Sequence, residues 1–291
     1  MELWRRASNP WGQDVLVGVS WDLMWAAVVA AGLFLVGHAV WVRTRPSEAH
    51  EPSTDVPAGI PEKIERHSFA ARAFHWVMSI AMLLLLITAF VPVMGWQFNW
   101  VDLHWQAGVL LIATVVYHVI HSIGWMDFWS MFQVGVSEGI ATIKHILSPK
   151  APAPPKAGKY PFDHRLYHHV IVVVSLSAIV TGVLMMVRID TPFWTRNPYL
   201  FSDSTWGVMY VVHGLSGVSL ILLVASHIYF ALRPEKRWIT WSMVRGWIDR
   251  EHYLEHFDPA KWVVTDGAMK STDGGGSGAI AEPAPSAKRE D

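Results

Sequence analysis

Five apolar stretches, residues 15–42, 66–94, 102–124, 162–188 and 205–232, leave this 291-residue chain few ways to fold. Each holds about 20 or more residues, mostly Leu, Ile, Val, Ala, Phe and Met, which is the length needed to cross a hydrocarbon layer of about 30 Å as a helix. The chain is 52% hydrophobic and only 16% charged. Backbone polar groups in lipid must be satisfied within each segment, so the expectation is an all-α, polytopic membrane bundle. The first stretch is too long for a cleavable leader and carries Asp22 and His38 inside it. It ends in Arg43-Thr44-Arg45 without a small-residue cleavage site, and is expected to persist as a helix.

Tryptophan and charge set the frame. Of 17 tryptophans, Trp21, Trp41, Trp96, Trp100, Trp125, Trp129, Trp194, Trp206, Trp238 and Trp241 fall at stretch ends, as an interfacial aromatic belt requires. Sixteen Lys/Arg lie in 43–66, 125–165 and 233–270, against four in 1–14, 92–103 and 188–206. By the positive-inside bias the N-terminus lies outside and the C-terminus in the cytoplasm, with Arg5 and Arg6 opposing weakly. A bacterial inner membrane is the expected location, with lipid around the helices. A net charge of −1 gives no basic stripe and no reason to expect nucleic acid. With no cysteine, the chain holds no iron–sulfur cluster by thiolates, no covalently attached haem and no disulfide.

Between the spans, the Pro-rich and acidic residues 46–62 and the Pro/Lys segment 148–159 read as extended connectors. Residues 127–147 read as an amphipathic helix on the inner surface, and Trp238–Tyr253 as another. The Gly/Ser and Ala/Pro tail from Met269 is expected to be disordered. The resulting organisation is an extra N-terminal transmembrane helix (1–45), a linker (46–65), a four-span domain (66–265) and a tail (266–291).

Two histidines share one local pattern. His104 is followed four residues later by Gly108, and His213 by Gly217, which puts each imidazole on the same helix face as a bare patch of backbone where a flat macrocycle fits. His227 follows His213 by fourteen residues on the same span, about 21 Å of depth. Topology then places His104 and His213 near the outer face and His75 and His227 near the inner face. An imidazole from each of two facing helices fills both axial positions of a haem iron, so the expected ligand pairs are His104/His213 and His75/His227. A structural alternative for any one of them is an interhelical hydrogen bond.

Residues 66–265 resemble the cytochrome b membrane (gamma) subunit of the formate dehydrogenase-N type. The matching pieces are Phe69-Ala70-Ala71-Arg72-Ala73-Phe74-His75-Trp76, His104 with Gly108, Gly158-Lys159-Tyr160, Thr181-Gly182-Val183 and the His213/His227 spacing. The resemblance implies two b-type haems on the same histidine pairs and a site for quinone, menaquinone or ubiquinone, beside the inner haem. It also implies partners: an iron–sulfur or cytochrome subunit and a catalytic subunit of a respiratory complex. The chain would then be a quinone-reactive electron-transfer subunit rather than an enzyme alone. The first span has no counterpart in that four-helix core.

Several residues remain open on sequence. His118 lies fourteen residues after His104, the spacing used in quinol–cytochrome c reductases, and geometry alone lets it stand opposite His227; the Arg-x-x-His-Trp context favours His75. His118 and His121 are candidates for haem propionate or quinone contacts, with an ordinary hydrogen bond as the alternative. Arg72, one turn before His75, is a candidate propionate partner, or a plain positive-inside residue. Asp163 and His164 are candidate proton donors to quinone, although the family's Asn-x-Gly-Gln pattern is replaced here by Pro161-Phe162-Asp163-His164. His168 and His169 lie one turn further in, and His38 reads as interfacial. Two other functions compete: a transmembrane electron relay without a quinone site, and a His-based metal or proton transporter.

Overall fold

A computed structural model describes residues 2–44, 59–126, 128–133, 135–148 and 152–264. In chain order the elements are β1 (Trp4–Ser8), β2 (Asp14–Val19), α1 (Trp21–Arg43), β3 (Lys63–Glu65), α2 (Phe69–Phe90), α3 (Trp100–Trp125), α4 (Phe128–Phe132), α5 (Val136–Leu147), α6 (Phe162–Met186), α7 (Asp203–Leu232), α8 (Arg237–Arg245), β4 (Trp247–Asp249) and α9 (Arg250–His256). Five helices, Trp21–Arg43, Phe69–Met94, Trp100–Trp125, Phe162–Met186 and Asp203–Leu232, are long and apolar enough to cross a membrane, and the protein is a multi-pass helical membrane bundle. The tail (266–291) and most of the connector 46–62 lie outside the described residues.

Caps decide where the spans begin. Ser20, Ser68 and Ser202 each accept a hydrogen bond from a backbone N–H of the first turn, from Leu23 at 3.2 Å, Ala71 at 3.2 Å and Thr205 at 3.3 Å, a contribution of about 1 kcal/mol each. Within the bundle α2 packs closely along α3 and α6 along α7, whereas the two pairs touch each other sparsely. Lipid is as apolar as leucine, so helices are held by close packing of small residues. α1 follows this rule: Met24, Ala27 and Ala31 form its buried stripe, on the side that packs along α7. The apolar side chains on the outward faces, among them Leu33, Val36, Ile80, Val116 and Val173, are exposed to the surrounding phase.

Three sequence expectations need correction. Residues 15–20 are not the start of the first helix. The valine-rich Asp14–Val19 pairs antiparallel with Trp4–Ser8 as a hairpin, because β-branched residues favour a strand and Asn9 closes the turn by accepting from Trp11 N and Gln13 N. The hairpin lies on α7, where a Cβ on Gly207 would sit 2.7 Å from Leu16 Cβ and one on Gly214 would sit 2.8 Å from Val19 Cγ2. Second, the surface helix 127–147 is two helices, α4 and α5, with Gly135 at the N-cap of the second. Along α5, Val136, Ile140, Ile143 and Leu147 form an exposed apolar stripe, while Gly139 abuts the Phe162 ring and Glu138 pairs with Arg165. Third, Trp238–Tyr253 is not one helix: Gly246, in the left-handed region at φ 94, ends α8 and hands over to β4 and α9.

β4 pairs antiparallel with β3, with Ile248 opposite Ile64. Around this ribbon Ile64, Ile248, Tyr253, Phe257 and Trp262 form a buried cluster, and Tyr253 Oη donates to Trp262 O. Each such side chain contributes about 1.5–3 kcal/mol by burial. The connector is tied into the same cap through a bridge between Ala157 and Phe257 and through Lys261 Nζ donating to Lys156 O at 2.7 Å. The hairpin end and this cap end are therefore the two non-membrane poles of the bundle. A Cβ on Gly246 would meet His67 O at 3.0 Å and Arg72 Cζ at 3.3 Å, besides paying the left-handed penalty of roughly 1–2 kcal/mol. Gly246→Ala is expected to lower the melting temperature of the detergent-solubilised protein and to speed proteolysis of the cap segment, both measurable against the parent chain.

Candidate functional site

Helix α7 supplies one histidine to each of two facing pairs. Toward the hairpin end, the rings of His213 and His104 have centroids 6.2 Å apart with planes at 71°. Toward the cap end, His227 and His75 have centroids 6.4 Å apart at 50°. A metal bonded by one nitrogen of each ring, at about 2.0–2.1 Å per bond, puts the ring centres roughly 6 Å apart once each ring's own radius is counted. Both pairs bridge the sparse seam between the α2/α3 and α6/α7 pairs. Among the described residues no group of three or more His, Cys, Asp or Glu converges on one point. Paired ligands suit an iron whose other four positions come from a macrocycle.

The hydrogen bonds around the hairpin-end pair fix which nitrogen is free. Thr88 Oγ1 donates to Leu84 O at 2.7 Å, so its lone pair accepts from His104 Nδ1 at 2.8 Å. Thr181 repeats this on α6: its hydroxyl donates to Ser177 O at 2.6 Å and accepts from His213 Nδ1 at 3.0 Å. His213 Nδ1 also lies 3.1 Å from Ala178 O, which only accepts. The proton therefore sits on Nδ1 in both rings and the Nε2 lone pair is available to a metal. Gly182 makes room, since a Cβ there would come within 3.2 Å of His213 Cε1. One turn from each ligand the backbone is bare: a Cβ on Gly108 would meet nothing within 4 Å, and one on Gly217 only Phe90 Cζ at 3.9 Å. The residues present at this pole fit a haem.

The cap-end pair is braced by packing. His227 stacks on Tyr167 with centroids 5.3 Å apart at 22°, and Tyr167 Oη donates to Leu223 O at 3.2 Å. His75 packs edge-on to Trp76, whose Nε1 donates to Met243 O at 3.1 Å. His75 Nδ1 is buried and has no hydrogen-bond partner.

The remaining sequence candidates fall into separate groups. His118 faces His168 at 6.4 Å and Phe74 at 4.3 Å, while the ring opposite His227 is His75. His121 stacks between Tyr117 and Trp125. His169 Nδ1 bonds Arg165 O at 2.6 Å, a contact one turn back in its own helix. His38 Nδ1 accepts from Arg233 Nη1 at 3.1 Å and from Tyr229 Oη at 3.0 Å, which joins α1 to α7. Arg72 is committed to main-chain carbonyls, Nη1 to Val244 O at 2.5 Å and Nε to Ser68 O at 3.4 Å. Asp163 is exposed; its neighbour His164 lies inside, in the electrostatic field of Asp163, Arg66, Lys236 and His227.

Sequence reasoning passed over three groups at the site. Thr88 and Thr181 brace histidines on other helices, and no spacing within one helix reports such a contact. Arg66 and His67 lie side by side at the cap-side entry to α2, ahead of His75. Arg66 is only 3% exposed and lies over the rings of Phe257, at 5.0 Å, and Trp262, at 5.8 Å. Burial lowers its guanidinium to about 10. His67 is held well below its ordinary value, first by burial and then by the nearby charges of Arg66 and Lys159 and by His75 and His164. The run Ile64-Glu65-Arg66-His67 reads in sequence as an ordinary positive-inside entry to a span.

No curated protein matches the chain. The profile of the prokaryotic cytochrome b561 family matches residues 66–246, which takes in α2, α3, α6, α7 and all four paired histidines and leaves the hairpin and α1 outside. The chain belongs to the prokaryotic cytochrome b561 family, helical membrane proteins that bind b-type haem and transfer electrons.

Proposed function

We propose that the chain is a di-haem cytochrome b subunit of a respiratory oxidoreductase complex, of the formate dehydrogenase-N gamma type, in a bacterial inner membrane. It relays electrons between a partner's redox centre outside and the quinone pool at the cytoplasmic end. The observation that carries this reading is the pair of imidazole couples, 6.2 and 6.4 Å between centroids, sharing α7. In this reading the hairpin pole is outside, His104 and His213 hold the outer haem, and His75 and His227 hold the inner one. A bound b-type haem supplies reversible one-electron transfer with both axial positions filled.

The residues around the pairs support the direction. Nδ1–H donation to Thr88, Thr181 and Ala178 makes the outer imidazoles more basic, which favours the oxidised metal, whereas His75 Nδ1 has no acceptor. The chain therefore sets the outer position at the lower potential, and electrons run inward. At the inner pole, His164 lies in the electrostatic field of His227 and follows the exposed Asp163, and in this reading these two residues pass protons from the cytoplasm to the quinone. With no cysteine of its own, the chain needs a partner to bring electrons from a cluster or cytochrome. The outer pole offers exposed Trp11, Phe193, Tyr199 and Leu200 for such a partner, an iron–sulfur or cytochrome subunit bound in turn to a catalytic subunit.

The decisive measurement is haem content with redox titration of the purified protein. His213→Ala and His75→Ala are each expected to remove one of two low-spin b-type equivalents; retention of both in either variant overturns the ligand assignment. Thr181→Val is expected to weaken outer-haem affinity about 10-fold, at the lower end of the usual cost of losing such a bracing contact, and to raise that haem's potential, read by titration. With quinol supplied to the parent chain, both haems should be reduced. Asp163→Asn combined with His164→Gln should slow that reduction about 10²-fold, at the lower end of general acid–base contributions. Haem spectra with no reduction by quinol would instead leave a relay without a quinone site.

A further inference from the structure

Arg66 has a buried guanidinium two of whose nitrogens have no partner in the protein. Its Nε and Nη1 are inaccessible and have no hydrogen-bond partner, and its flat faces meet Phe257 and Trp262. Its backbone is pinned, N–H donating to Gly246 O at 2.8 Å, so the side chain is delivered to one place. Around it, Tyr160 is the titratable group whose charge acts on Arg66, and Lys159 acts on the adjacent His67. A desolvated cation with unused donors is unfavourable unless an anion joins it.

The location says which anion. Arg66 and His67 precede His75 by nine and eight residues, at the mouth of α2, and His67 lies in the field of His75 while His164 lies in that of His227. The cluster thus lies at the cap-side entry of the span that carries His75. A b-type haem carries two carboxylate side chains on one edge of its ring, and a guanidinium fork matches a carboxylate with two parallel hydrogen bonds. Arg72, the residue that sequence alone suggests for this task, places two of its donors on Val244 O and Ser68 O.

We infer that Arg66, flanked by His67, receives the carboxylates of the inner haem and raises that haem's reduction potential by placing a desolvated positive charge against it. The inference rests on the di-haem reading. It adds a positioning and potential-setting residue that is not an iron ligand.

The test uses full-length protein in detergent with phospholipid, as Arg66→Leu and Arg66→Lys. The parent chain must first show two b-type haems; their absence sinks the di-haem reading itself, separately from this proposal. In Arg66→Leu the inner haem is expected to become harder to reduce by about tenfold in its equilibrium constant, near 59 mV for one electron, while the outer haem is unmoved. Loss of the inner haem alone, with the outer spectrum intact, supports the proposal equally. Arg66→Lys keeps the charge and tests the case where the leucine variant fails to fold. It should recover most of the potential, while the propionate carboxylate bands in the redox-difference infrared spectrum shift, because an ammonium cannot reproduce the two-pronged contact. Two haems with unchanged potentials and unchanged carboxylate bands in either variant overturn the proposal. So does loss of bound phospholipid from either variant with the haem properties intact, which would assign the guanidinium to a lipid phosphate.

Discussion

Placing an imidazole inside a lipid-facing bundle is costly unless its nitrogens find partners, and at the hairpin end that requirement organises the packing. One nitrogen of each hairpin-end ring is taken by a threonine on a neighbouring helix, Thr88 on α2 for His104 and Thr181 on α6 for His213. The other faces across the seam toward its partner ring. The two helix pairs, α2 with α3 and α6 with α7, can pack tightly within themselves but must stand apart between themselves, and Gly108 and Gly217 keep that seam clear. Because α7 carries a ring of both couples, its rotation and depth are fixed twice, and the helices around it are fixed to it.

This dependence explains why the ends of the molecule are elaborate although its middle is plain. Packing between apolar helices in lipid is weak and undirected, so orientation is set at the poles. At one pole the β1–β2 hairpin presses into glycine notches on α7, and Asn9 Nδ2 donates to Asp203 at 3.0 Å at the start of that helix. At the other, the β3–β4 ribbon and α9 bury an apolar cluster that water stabilises, and Gly246 brings that ribbon against His67 and Arg72. The rigid caps thus hold the entrances of α2 and α7, which bear the cap-end histidines.

The spans, and the facing of the His104 ring to His213 and of His75 to His227, were readable in the sequence, because hydropathy fixes each segment's depth and fourteen residues of helix have one length. What stayed hidden depended on neighbours distant in the chain. The break at Gly246 became visible only through its positive φ, and a stretch such as Asp14–Val19, apolar enough to continue a span, became a strand because Trp4–Ser8 was there to pair with it. The bracing threonines belong to other helices than the rings they touch. Arg66 was disguised by composition: a basic residue at the entry to a span is a common arrangement, and only its burial sets it apart.

The spacing along α7 carries one more consequence. His213 and His227 are fourteen residues apart, about 21 Å, or roughly two-thirds of a 30 Å insulating layer. In the di-haem reading proposed above, an electron moving between those levels works against, or with, most of the membrane voltage, about 1.6 kcal/mol for each 100 mV across the bilayer. The helix would then be the plate spacing of a capacitor, with turnover at one pole tied to the charge already stored across the membrane.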